Sequence, residues 1–280
     1  MNAKRTNQVW DPLADSREDK LRADRQPRTP QSMSSAYRLA YADEDFLCRE
    51  ELRPVRLQLE LLKPEMILME AGIRSTVVMF GGARIPEPGK EPWAAKNDVQ
   101  AKNLTAAARY YNEAREFARI CSNHSLTTKG QEYVICTGGG PGVMEAGSRG
   151  AVDVGAPNIG LNIVLPHEQA PNEYVTPELC FNFHYFAIRK MHFLMRAKAI
   201  AVFPGGFGTM DEMFEALTLI QTDRMAPVPF LLFGRDFWGK VINLGELADQ
   251  GTISPEDVDL FQIVDSADEG WKIISDYYSL

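Results

Sequence analysis

Cysteine is scarce: 280 residues hold four, Cys48, Cys121, Cys136 and Cys180, and gaps of 73, 15 and 44 residues match no CxxC or mixed Cys/His ligand spacing. Neither a disulfide framework nor a structural zinc site is indicated, and buried free thiols are expected instead. Long apolar runs are missing as well. The longest are of strand length, such as Ala199 to Phe203, against the roughly 20 residues of a membrane helix, so no membrane partner is expected. The opening residues MNAKRTNQVWDPLADSRED carry charge but no apolar signal-type stretch, which points to a cytoplasmic protein. There is no excess of positive charge either. Thirty Lys and Arg against 38 Asp and Glu leave a net charge of −8, which argues against broad nucleic-acid binding through a basic surface. Any anionic ligand has to be caught locally.

What is present begins with enough apolar side chain, 45%, to fill a real core. Residues 1–40 fall well short of that, with 13 apolar residues, 8 Lys or Arg and 5 Asp or Glu around a Pro-Arg-Thr-Pro stretch. Burial there cannot repay the entropy of ordering, so residues 1–41 are expected to be a disordered or loosely docked arm. In residues 42–74, Phe46, Leu47, Leu52, Val55, Leu59 and Leu62 recur at near-helical spacing, interrupted by Pro54 and Pro64. The pattern predicts two or three helical pieces packing on the body. From residue 75 to 280, short β-rich runs (75–80, 133–137, 158–165, about 179–183, 199–203, 228–233) alternate with helix-like segments (97–122, 142–153, 187–198, 210–222). A last short strand and a closing helix follow. Strand–helix alternation with runs apolar on both faces predicts an α/β fold, a parallel sheet with helices on both faces.

In such sheets ligands bind beyond the carboxyl ends of the strands. Four stretches lie there: Gly81-Gly82-Ala83-Arg84, Gly138-Gly139-Gly140-Pro141-Gly142, His184 to Arg189, and Pro204-Gly205-Gly206-Phe207-Gly208-Thr209. The last sets a glycine-rich turn before a helix start, where backbone amides can face an anion, with Thr209 adding a hydroxyl or an N-cap. A tight turn alone would also explain these glycines. No Lys-Ser or Lys-Thr follows either glycine-rich loop, so a Walker loop is excluded. Neither loop reads GxGxxG, because the count falls on Glu145 from Gly140 and on Asp211 from Gly206. Among side chains, Arg189 stands where it can reach the ligand edge. Glu212 is open to two readings, a catalytic or ribose-binding carboxylate or an acid complementing a helix dipole. Met191 and Met195 are expected in the core, and Arg196 on the surface.

PGGFGTMDE at Pro204 to Glu212, the preceding Arg189-Lys190 pair and GGGPGVMEAGSRGA at Gly138 to Ala151 together resemble the Lonely Guy family of nucleotide phosphoribohydrolases, in its larger-subunit branch. The resemblance covers about residue 45 to the end. It implies a Rossmann-like doubly wound sheet, a homodimer or higher homo-oligomer with sites near the subunit interface, and a nucleotide as the small-molecule partner. The implied reaction is hydrolysis of the N-glycosidic bond of a nucleoside 5'-monophosphate, such as AMP or a cytokinin riboside monophosphate, to free base and ribose 5-phosphate. It makes Arg189 and Glu212 the catalytic pair and gives phosphate to Gly205, Gly206, Gly208 and Thr209. Gly82, Arg84, Gly139, Gly140, Glu145 and Lys190 are further substrate-binding candidates; no metal and no organic cofactor is expected. A binding protein for nucleotide or molybdenum cofactor, without turnover, is the alternative. The same family has carried the label lysine decarboxylase, but Lys190 beside Arg189 gives no independent sign of a Schiff-base lysine.

Overall fold

The seven strands among the described residues run parallel because each is joined to the next by a crossover rather than a hairpin. They are β1 (Thr76–Phe80), β2 (Val134–Thr137), β3 (Asn158–Ile163), β4 (Cys180–Phe183), β5 (Ala197–Val202), β6 (Phe230–Phe233) and β7 (Gln262–Val264). Their spatial order is β4-β3-β2-β1-β5-β6-β7, with every pair parallel. The computed structural model describes residues 14–166 and 170–280. Residues 1–13 of the expected arm therefore lie outside the described residues. The described chain divides into two compact units, up to Leu59 and Glu60–Leu280.

The helices are α1 (Ser16–Asp24), α2 (Glu44–Leu47), α3 (Arg53–Glu70), α4 (Asp98–Ala107), α5 (Arg109–Thr127), α6 (Val143–Val152), α7 (Phe186–Leu194), α8 (Phe207–Gln221), α9 (Arg235–Val241), α10 (Leu244–Asp249) and α11 (Ala267–Tyr278). Strand alternation sends Val77, Met79, Ile135, Ala199, Ala201 and Leu231 to one face, where Phe117 and Cys121 of α5, Ala146 of α6 and Ile274 of α11 meet them. Val78, Phe80, Cys136, Ile200, Val202 and Leu232 face the other way, onto Leu68 of α3, Phe193 of α7 and Met213, Ala216 and Ile220 of α8. Both faces are covered, so this is a doubly wound Rossmann-like sheet, and the short strands can be apolar throughout.

Several local expectations are corrected. The segment 97–122 is two helices, α4 and α5. The lead-in helix α3 is continuous, not broken at its prolines: Pro54 sits in its first turn, where a missing N–H costs nothing, and Pro64 is buried in its interior. Proline at 64 cannot donate to the carbonyl four residues back, that of Glu60. His192 of α7 supplies a replacement, with Nε2 3.2 Å from Glu60 O. Burial holds that imidazole below its ordinary pKa. Arg196 is not a surface residue; it is mostly buried and makes a two-pronged pair with Glu65 at 2.7 and 2.6 Å. Met191 of α7 and Met195, its C-cap, are exposed rather than core. Cys121 and Cys136 are the buried thiols, both pushed up by desolvation, whereas Cys48 is exposed and Cys180 half-buried.

Candidate active site

Chain order reverses between β1 and β5, which are neighbours although three strands and their helices separate them in sequence. Such a switch point opens a crevice, because the two flanking crossovers leave in opposite directions. The loops above it interlock. Gly82 N donates to Pro204 O at 2.9 Å, and Val143 N donates to Gly82 O at 3.3 Å. Gly142 has to be glycine here: its φ is +70°, and a Cβ would lie 2.4 Å from Gly82 O. Three of the four predicted loops thus meet at one point.

On the β5 side α8 begins at Phe207 with Gly206 as N-cap, three residues earlier than the expected start. Two readings change with it. Thr209 is a buried first-turn residue and not the N-cap, with its hydroxyl over Gly205, where a Cβ would lie 2.1 Å from Thr209 Oγ1. Asp211 and Glu212 fall in the second turn, beyond the reach of most dipole complementation. The first-turn amides of Phe207, Gly208 and Thr209 have no acceptor four residues back, as at any helix start. Gly206 and Gly208 are bare without a reason inside the chain: neither has positive φ, and a Cβ on either would meet nothing within 4 Å. Glycine at a helical position such as 208 costs about 1 kcal/mol relative to alanine.

Arg189 arrives from the far edge of the sheet. The turn between β4 and α7 is held by Glu60, whose carboxylate accepts from His184 N at 2.9 Å and Tyr185 N at 3.1 Å. From there α7 crosses back over β3 and β2 and carries Arg189 inward, 7% exposed. Its Nε donates to Leu161 O at 2.7 Å, its Nη1 donates to Glu212 Oε1 at 3.0 Å, and its guanidinium lies 4.9 Å from the Phe193 ring centre. Gly138 leaves the room, since a Cβ there would lie 2.6 Å from Arg189 Nη2. Burial pushes the Glu212 carboxyl up to about 7, against the pull of Arg189 and Lys190 and with a further push from Asp211. Glu212 is thus poised to change charge near neutrality.

The remaining candidates separate. Arg84 is exposed, two residues past Gly82 at the interlocked loops. Gly139 and Gly140 form the crest of the β2 loop. Glu145 lies on α6 and accepts from Tyr111 of α5 at 2.7 Å, so it is committed beneath the loop. Lys190 pairs with Asp211 at 2.8 Å and Glu215 at 2.9 Å, which outweighs its desolvation and raises its pKa. That is the wrong poise for a pyridoxal Schiff base, which needs an amine free to lose its proton, so the site does not fit that cofactor. Glu60 and Asn172, which positions the Gly139–Gly140 crest, were not anticipated. The Pro171-Asn172 pair signals a turn, but nothing local signals what it touches.

Residues 144–274 match the family described as "Possible lysine decarboxylase". The match fits the Lonely Guy resemblance, and the matched residues run from the α6 start through the Arg189–Glu212 pair to α11. No curated protein matches the chain. Among solved structures, a molybdenum cofactor binding protein from the phototrophic bacterium Rippkaea orientalis is similar at 16% identity. The alignment covers 73% of this chain and 98% of that one, with a TM-score of 0.47. A Moco carrier protein from Chlamydomonas reinhardtii is similar at 17% identity over 74% and 98% of the two chains, with a TM-score of 0.46.

Proposed function

We propose that the protein hydrolyses the N-glycosidic bond of a nucleoside 5'-monophosphate, with AMP as the test substrate, giving free base and ribose 5-phosphate. The observation that carries the reading is the buried Arg189–Glu212 pair, 3.0 Å apart, placed one turn beyond first-turn amides that two otherwise unneeded glycines leave open. Amides at a helix N-terminus suit a phosphate, and Gly206 and Gly208 let its oxygens approach closely. Departure of the base leaves positive charge on the ribose. An ionised Glu212 stabilises that charge and orients the attacking water, whose hydroxyl goes to the anomeric carbon. The C–N electron pair and one proton leave with the base. Arg189 keeps Glu212 ionised near neutral pH and fixes its direction. Because phosphate contacts are remote from the bond that breaks, their binding energy goes into orientation.

Chromatography of products from a panel of nucleoside monophosphates tests this. AMP should yield adenine and ribose 5-phosphate, and adenosine should react at least about 100-fold more slowly. AMP binding without release of base from any monophosphate would move the protein to the alternative, a nucleotide or molybdenum-cofactor binder.

We infer a homodimer or higher homo-oligomer as well. Helices α3, α7 and α8, with Met195 at the C-cap of α7, expose the large apolar side chains Leu62, Met66, Met69, Met191, Met195 and Phe214, which a partner copy would cover. Sedimentation should give at least twice the chain mass, and a monomer at micromolar concentration would contradict the inference. No helix among the described residues is long and apolar enough to cross a membrane, and a nucleotide substrate and unpaired thiols support a cytoplasmic location.

A further inference from the structure

The crest of the β2 loop is held from outside. Gly139 O accepts from the main-chain N of Asn172 at 2.8 Å and from its Nδ2 at 3.0 Å, and the same Nδ2 donates to Gly140 O at 3.0 Å. Asn172 is itself fixed, since its Oδ1 accepts from Tyr174 N at 3.2 Å. The stretch that follows is fastened to β3: Asn158 Nδ2 donates to Tyr174 O at 2.9 Å, and Asn158 N donates to Thr176 Oγ1 at 3.0 Å. Val175 packs where Gly160 has no side chain, 2.8 Å from the position of a Cβ. On the loop's own side, Gly139 N donates to Thr137 Oγ1 at 3.1 Å. Both carbonyls at the crest are therefore tied to one carboxamide that the sheet anchors.

A planar trans peptide puts the Gly140 N–H opposite the Gly139 oxygen. Holding that oxygen fixes the direction of the N–H, which makes no backbone hydrogen bond among the described residues. The next residue is Pro141, which has no N–H to offer. The loop also abuts the catalytic candidates, through the close approach of Gly138 to Arg189. We propose that Asn172 is a positioning residue of the ligand site, whose carboxamide turns the Gly140 N–H toward the ligand beside Arg189. This rests on the nucleotide reading above. Two N–H groups on one nitrogen are what two carbonyl acceptors require; an aspartate of the same shape has none and repels both oxygens.

The test uses full-length Asn172→Asp and Asn172→Ala proteins with AMP, and hydrogen exchange of residues 138–144 in the absence of nucleotide. Both variants should raise KM by about tenfold or more with kcat within about threefold of native. Exchange in 138–144 should speed up by about fivefold or more, with α11 unchanged. A lowered melting temperature with native KM and native exchange in 138–144 would show a purely structural role and overturn the proposal. Should native protein neither bind nor cleave AMP, the nucleotide reading fails by itself. Exchange then decides for Asn172: faster exchange confined to 138–144 supports the positioning role, and unchanged exchange overturns it. If Asn172→Asp does not fold, Asn172→Ala supplies the same two readouts.

Discussion

Glu212→Gln should lower AMP turnover by about 100-fold or more while AMP affinity stays within about threefold of native. Gln keeps the size of the side chain and can still meet Arg189, but it has no charge to set against an oxocarbenium ion and no basic oxygen for water. The amides of Phe207, Gly208 and Thr209 are backbone groups in the preceding turn, so the variant leaves them in place and phosphate binding should be preserved. The pH dependence has a definite sign. Native turnover should fall as pH drops through about 7, where the carboxyl protonates, and in Glu212→Gln that limb should disappear. Stability runs the other way. A carboxyl raised by burial from 4.5 to about 7 contributes fully below pH 4.5, and its contribution is lost as pH rises through 7. Native protein therefore loses about 2–4 kcal/mol relative to Glu212→Gln between those limits, measurable by denaturant titration at pH 5 and pH 8. A parallel pair of stability curves would show that Glu212 does not titrate as a buried group.

Arg189→Ala should have the larger effect, because it removes three things at once. Leu161 O loses a 2.7 Å donor, Glu212 loses its buried countercharge, and the space beside Gly138 opens. Breaking one side of a buried ion pair costs about 3–5 kcal/mol, so the variant should melt well below native. Without the guanidinium, which pulls the Glu212 carboxyl down, that carboxyl should rise further. Turnover should fall by about 1,000-fold or more, and AMP affinity by about tenfold or more. Arg189→Lys should recover little of either, since an ammonium group cannot reproduce the donor fork that reaches Leu161 O and Glu212 together. Calorimetry and single-turnover assays separate the two losses. Combining Arg189→Ala with Glu212→Gln should give far less than the product of the single effects, as expected for groups in direct contact. Full additivity would mean that the pair does not work as a unit.

The strands were the most legible part of the fold. Parallel strands covered on both faces are short apolar runs, and 75–80 or 199–203 in the sequence lie within two residues of β1 and β5 at either end. Their order was not legible, because it depends on which way each crossover turns, and that order puts the switch point between β1 and β5. Helix starts suffered where glycine does two jobs. Gly206-Phe207-Gly208 reads as a turn, yet Phe207 and Gly208 are already the first turn of α8. Proline misled in the opposite sense at Pro64: the helix continues because His192, 128 residues away in sequence, takes the orphaned carbonyl. Arg196 and Glu65, and Asn172 with Gly139, are likewise pairings across long stretches of chain that no local pattern records. Arg189 and Glu212 were singled out by position and by resemblance, whereas their contact, their burial and the shift it imposes needed the fold.

The measurement that bears most directly on the central claim is quantification of adenine and ribose 5-phosphate released from AMP by native and Glu212→Gln proteins at equal concentration and pH 8. Native protein should release the two products in equal amounts, and Glu212→Gln should bind AMP but release about 100-fold less of both. Equal release by the two proteins, or AMP bound by native protein and recovered intact, would contradict the account.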